Sequence, residues 1–80
     1  MPRVTVHLGS ILSKKLGRGH ERRLEISLQE GGTIADLTQN LKLELEPEML
    51  LLAVNGRVAR PETVLEDGDR VHLMMPISGG

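Results

Sequence analysis

The group in this 80-residue chain best suited to covalent chemistry is the α-carboxylate of Gly80, carried on a Gly79-Gly80 end. With no Cβ on either residue, such a backbone threads a narrow channel and brings its carboxylate close to a nucleotide phosphate. A frayed terminus is the competing reading. Two final glycines arise by chance in only about one chain in 200, so the ending carries weight if the preceding residues build a platform for it. The chain has no cysteine. Neither a disulfide framework, nor a Cys-ligated metal, nor a thiol nucleophile is available, and any sulfur chemistry must use a group that the chain acquires.

The other candidate groups read as structural. His7 and His72 become neighbours if the first and last strands pair, but two histidines without a suitably placed acid make a poor metal site, so they are expected on the surface, with His20 in a loop. No metal site is expected. Gly31-Gly32 ahead of a helix resembles an anion-binding loop but lacks the P-loop lysine and spacing, which leaves helix entry. Asp67 and Asp69 have no apolar pocket to raise a carboxyl pKa, and they suit a turn instead.

The elements that must position the tail follow from periodicity. Val4 to Leu8 and Leu24 to Leu28 alternate apolar and polar residues, as half-buried strands do. Between them, the basic Gly9 to Arg23 segment reads as a long hairpin connection with a short turn around Ile11 to Leu16. Ile34, Leu37 and Leu41 share one face of a helix that Thr33 caps, with Asp36 placed for a capping box, and the helix should end near Lys42 to Glu44, ahead of Pro47. Leu50 to Val54 is a strand that Asn55-Gly56 turns into a short return strand, Arg57 to Arg60. The Glu66-Asp67-Gly68-Asp69 turn leads into a last strand, Arg70 to Met75, aimed at the tail.

Composition bounds the result. One domain with a modest core fits 80 residues. Hydrophobic residues at 39% and charged residues at 26% are ordinary for a globular chain that folds without a partner. Aromatic content of 0% leaves the core to Leu, Ile, Val, Met and Ala and removes stacking platforms for bases; with a net charge of -1, this argues against nucleic acid. Basic residues crowd the first quarter, which fits a solvated loop better than a steering patch. The start, Met1-Pro2-Arg3-Val4, lacks a signal-peptide stretch and no run approaches membrane-spanning length, so a cytoplasmic location and no membrane partner are expected.

The order strand, strand, helix, strand, short strand, strand is that of an α+β, ubiquitin-like β-grasp, a mixed sheet wrapped around one main helix. Residues 1–76 are expected to form that single domain, and 77–80 a flexible diglycine tail. On Val54-Asn55-Gly56, Leu65-Glu66-Asp67-Gly68-Asp69-Arg70-Val71 and Pro76-Ile77-Ser78-Gly79-Gly80, the chain resembles the MoaD/ThiS family of ubiquitin-like sulfur carriers. Its length and tail look most like the molybdopterin synthase small subunit. It departs from that subunit at Met75, where a proline is usual, and in the Gly9 to Arg23 segment, where an Arg-Glu-Leu helical motif is usual.

The resemblance implies a carrier or co-substrate rather than an enzyme. A separate activating enzyme of the MoaB/MoeB/ThiF-like adenylyltransferase class, using ATP and Mg²⁺, would join Gly80 to AMP. A sulfur donor would then displace AMP to leave a thiocarboxylate for a sulfur-acceptor synthase subunit or thiolase, in molybdopterin-type, tRNA or thiamine biosynthesis. No cofactor is bound by the chain itself. Gly79 and Gly80 would be the reactive tail, Ser78 and Ile77 the part gripped by the partner, and Pro76 a stiffener. Strand alternation puts Val4, Val6, Leu8, Leu52, Val54, Val71 and Leu73 inside. It leaves Leu51, Ala53 and Met74 outside as an apolar docking patch. Two other functions share this sequence: a ubiquitin-like modifier conjugated through Gly80 to lysines of protein targets, and a β-grasp binding module using the basic 9–23 loop.

Overall fold

The computed structural model describes residues 1–17, 22–43 and 45–76. Strand β1 (Arg3–Leu8) is followed by helix α1 (Ser10–Lys15), β2 (Arg23–Ser27), α2 (Ile34–Asn40) and a single 3-10 turn (Pro47–Met49). Strands β3 (Leu51–Val54), β4 (Arg57–Val58) and β5 (Arg70–Met74) complete the chain's described elements. The strands form one mixed sheet in the order β2-β1-β5-β3-β4. The first and last strands run parallel at its centre, and the other pairings are antiparallel. This is the ubiquitin-like β-grasp.

Alternation in the strands decides which side of the sheet is covered. Val4, Val6, Leu8, Leu24, Leu52, Val71 and Leu73 are buried against Ile34 and Leu37 of α2, with Leu65 closing the same cluster. Inward positions recur at every second residue because successive side chains leave a strand on opposite faces. Thr33 caps α2 by a reciprocal capping box. Its Oγ1 accepts from the Asp36 N–H at 3.2 Å, while its own N–H donates to Asp36 Oδ2 at 3.0 Å.

The segment after β1 corrects the expectation of an irregular hairpin connection. Instead of a short turn around Ile11 to Leu16, Ser10–Lys15 is helical, and it buries Leu12 and Ser13. Gly9 supplies no side-chain cap, which is why no start signal stands out. The stop signals are present, however. Lys14 and Lys15 occupy the last turn, where the helix dipole favours cations, and Gly17 follows at φ +72°. Smaller differences lie at element ends. Helix α2 stops at Asn40 rather than near Lys42, because Lys42 adopts a left-handed φ of 55° that no further helical turn tolerates. Strand β4 ends at Val58 rather than Arg60, and β5 at Met74 rather than Met75.

Two turns far apart in sequence are tied together. Asn55 (φ 52°) and Gly56 (φ 85°) both take the left-handed conformations of a two-residue hairpin turn. Asn55 Nδ2 donates to Asp69 Oδ1 at 2.9 Å, and Asn55 Oδ1 accepts from the Arg70 N–H at 2.9 Å. Asp69 Oδ2 accepts from the Glu66 N–H, and Asp67 Oδ1 from the Arg3 N–H, both at 2.8 Å. The Asp-Gly-Asp turn thereby fixes the entry of β5 beside β1 and β3. Replacing Asn55 by Gly keeps the turn geometry but removes both side-chain bonds, and is expected to cost about 1 kcal/mol. Replacing it by Ala adds a left-handed penalty of roughly 1 kcal/mol more. Chemical denaturation of both variants checks this; two wild-type midpoints would show that the cross-link contributes nothing.

Candidate docking face and tail exit

The end of β5 sets where the tail leaves the sheet. Leu73 is fully buried, Met74 points to the opposite face, Met75 packs at the margin of the core and Pro76 is exposed. Proline has no N–H to offer a neighbouring strand and fixes its own φ, so it suits the point where pairing ends. Ile77, Ser78, Gly79 and Gly80, the expected grip and reactive residues, lie outside the described residues.

The sheet face turned away from α2 carries the three expected docking residues on adjacent strands. Leu51 of β3 pairs directly with Met74 of β5, and the two are 52% and 42% exposed. Ala53 pairs with His72 on its one side and with Val58 of β4 on the other. Val58, at 94% exposure, therefore extends the apolar row. Its place was readable, since a two-residue turn at Asn55-Gly56 sets residue 58 opposite residue 53. Ile11 of α1 adds a further exposed aliphatic, and its element was the one the sequence concealed. Gly9 shapes this corner. Its N–H donates to the Leu73 carbonyl at 2.9 Å, and a Cβ there would stand 3.3 Å from Met74 Cγ and press on it.

Beside the apolar row lies a set of cations. Parallel pairing puts His7 of β1 opposite His72 of β5, with their rings stacked 10° from parallel and centroids 4.6 Å apart. Arg23 of β2 flanks His7 on the other side, and Arg70 precedes His72 by one same-face step. Partial burial, then the charges of His72, Arg23 and Arg70, hold the His7 imidazole below its ordinary pKa. In this stack the ring-nitrogen lone pairs lie in parallel planes and do not converge on one ion. Among the described residues no group of three or more His, Cys, Asp or Glu side chains could hold a metal. Asp67 and Asp69 act as acceptors in the turn, as their positions suggested.

A mixed five-stranded sheet with one main helix, whose central strand β5 precedes the Gly79-Gly80 of the sequence, places the chain among the ubiquitin-like β-grasp proteins. The chain belongs to the ThiS family, which it matches over residues 13–80. Comparison with curated proteins finds no match. Among solved structures, the chain is similar to a Pyrococcus furiosus protein described as a molybdopterin converting factor subunit 1. That likeness has 24% identity and a TM-score of 0.77, over 96% of this chain and all of that one. The small archaeal modifier protein 1 of Haloferax volcanii aligns at 16% identity and a TM-score of 0.79, over 96% of this chain and 100% of the other. A complex of subunits 1 and 2 of the molybdopterin-converting factor from Helicobacter pylori contains a chain that is 22% identical. Its TM-score is 0.64, with 98% of this chain and 99% of that one covered. At these identities the structures establish a shared fold. No helix among the described residues is long and apolar enough to cross a membrane.

Proposed function

We propose that the chain carries sulfur as a C-terminal thiocarboxylate. The observation that supports this most is the ThiS-family match running through residue 80, and thus through a diglycine that follows the central strand of a β-grasp sheet. A carboxylate is a poor acyl donor. An adenylating enzyme with ATP and Mg²⁺ converts the Gly80 carboxylate to an acyl adenylate and releases pyrophosphate. Sulfide, or the terminal sulfur of a persulfide, then attacks the carbonyl carbon and displaces AMP. Sulfide gives the thiocarboxylate directly, whereas a persulfide leaves an acyl disulfide that a second thiol must reduce. The thiocarboxylate supplies the nucleophilic sulfur that a cysteine-free chain lacks. On this reading Gly79 and Gly80 enter the partner's active site, Ile77 and Ser78 line its channel, and Pro76 stiffens the exit. Leu51, Ala53 and Met74 dock on the activating enzyme. The catalytic side chains, ATP and Mg²⁺ belong to that partner. The names of the Pyrococcus and Helicobacter proteins favour a molybdopterin-type acceptor.

The experiment is incubation of the chain with its cognate adenylating enzyme, ATP, Mg²⁺ and sulfide, followed by intact-mass and terminal-peptide mass spectrometry. One oxygen of Gly80 should be replaced by sulfur. An unmodified carboxylate beside an enzyme that thiocarboxylates another carrier would overturn the proposal. A second reading, conjugation through Gly80 to protein lysines, is favoured by the likeness to a small archaeal modifier and begins with the same adenylate. The binding-module reading of residues 9–23 loses ground, because Leu12 and Ser13 of that segment are committed to the interior.

A further inference from the structure

We propose that the outer sheet face docks a carboxylate-bearing surface of the adenylating enzyme over the His7–His72 stack, so that association takes up protons. This rests on the carrier reading above and adds to it the chemistry of the partner's contact and its dependence on pH.

The charges on this face come from three of the five strands. From β2 come Arg23 and Glu25, from β1 Arg3 and His7, and from β5 Arg70 and His72; β3 and β4 contribute only Leu51, Ala53 and Val58. Among the described residues of the five strands, Glu25 is the one carboxylate on the face, and Arg3 engages it at 3.8 Å. Arg23 and Arg70 are left flanking two imidazoles, next to an apolar row. A complementary surface therefore pairs aliphatic groups opposite Leu51, Met74 and Val58 with an acidic group opposite the stack. The stack itself makes the pairing titratable. The His7 ring, 4.6 Å from that of His72 and beside Arg23, resists protonation in the free chain through partial burial and then through the neighbouring charges. A carboxylate placed over the stack offsets that resistance and favours protonated His7.

The two linkages have opposite signs, which makes the idea easy to separate from a general acid effect. Folding depresses the His7 pKa, so its contribution to stability is complete above the ordinary imidazole value of 6.5 and is lost as pH falls through the lower folded value. Docking raises that pKa, so affinity grows over the same fall in pH. Acid weakens the free fold while tightening the complex.

The test measures dissociation constants of the full chain with its adenylating enzyme at about pH 8 and about pH 6, with pyrophosphate release followed in parallel. Wild type should bind roughly tenfold tighter at the lower pH. The His7→Gln/His72→Gln double variant, its fold verified by thermal melting, should show no pH slope. Arg23→Gln should weaken binding at both pH values and, because it removes one of the charges that hold His7 down, shrink the slope without abolishing it. Equal wild-type affinities at the two pH values, or an unchanged slope in the double variant, would overturn the proposal. Pyrophosphate release with a flat binding profile would overturn the acidic contact alone. Sloped binding that vanishes in the double variant, but without pyrophosphate release, would overturn the carrier reading and leave the contact standing. No binding at either pH would overturn both.

Discussion

Deleting Gly80, or adding one residue after it, is expected to abolish adenylation while leaving the domain intact. One residue moves the reacting carboxylate by roughly 3.5 Å along an extended chain. A displacement of even about 1 Å in an oriented reaction can cost on the order of 10²-fold in rate, so the loss should exceed that and fall below detection. Stability should change by less than about 0.5 kcal/mol, because the described core ends with Leu73 and the margin residue Met75. Pyrophosphate release with the adenylating enzyme gives the first readout and a thermal melt the second. Replacing Gly79 by a bulky residue should act in the same direction, through a clash in the partner's channel. Full adenylation of the extended chain would show that the chemistry does not run through Gly80.

Leu12→Ala is expected to be the most damaging single truncation in the segment between β1 and β2, costing about 2–5 kcal/mol. Leu12 is 0% exposed and joins the same cluster as Val6, Leu8 and Leu73. A domain of this size has a total stability of roughly 4–12 kcal/mol, so the loss should lower Tm by about 10–30 °C. Ile11→Ala, one residue earlier and 55% exposed, should cost under about 1 kcal/mol. Equal melting temperatures for the two variants would mean that α1 is not anchored in the core. The two neighbours differ in one respect that matters here, since Ile11 is exposed where Leu12 is buried in the core.

The elements read correctly from the sequence are those whose signals lie within a few residues of one another. Alternation in Val4 to Leu8 and Arg70 to Met74 set both faces of the central strands, and with them the exposure of Met74. Asn55-Gly56 set the β3–β4 hairpin because left-handed φ values are local requirements that few residues meet. Thr33 and Asp36 set the start of α2 for the same reason, since a capping box spans one helical turn. The Gly79-Gly80 end is likewise read from two adjacent residues, and the chemistry proposed for it awaits the mass-spectrometric test above.

Tertiary structure alone decided features that join distant parts of the chain. A six-residue helix has too few hydrogen bonds to be stable by itself, so α1 exists because the core accepts Leu12, and its own sequence announces only its end. The neighbourhood of His7 and His72 follows from pairing the first and last strands. The flanking Arg23 depends on the register of β2, which no local pattern states. The Asp67 bond to the Arg3 N–H bridges 64 residues of sequence. Periodicity tells each residue which face it takes, because that is a property of one strand. Which side chains then meet across that face depends on register, which is fixed only when all five strands pack together over one core.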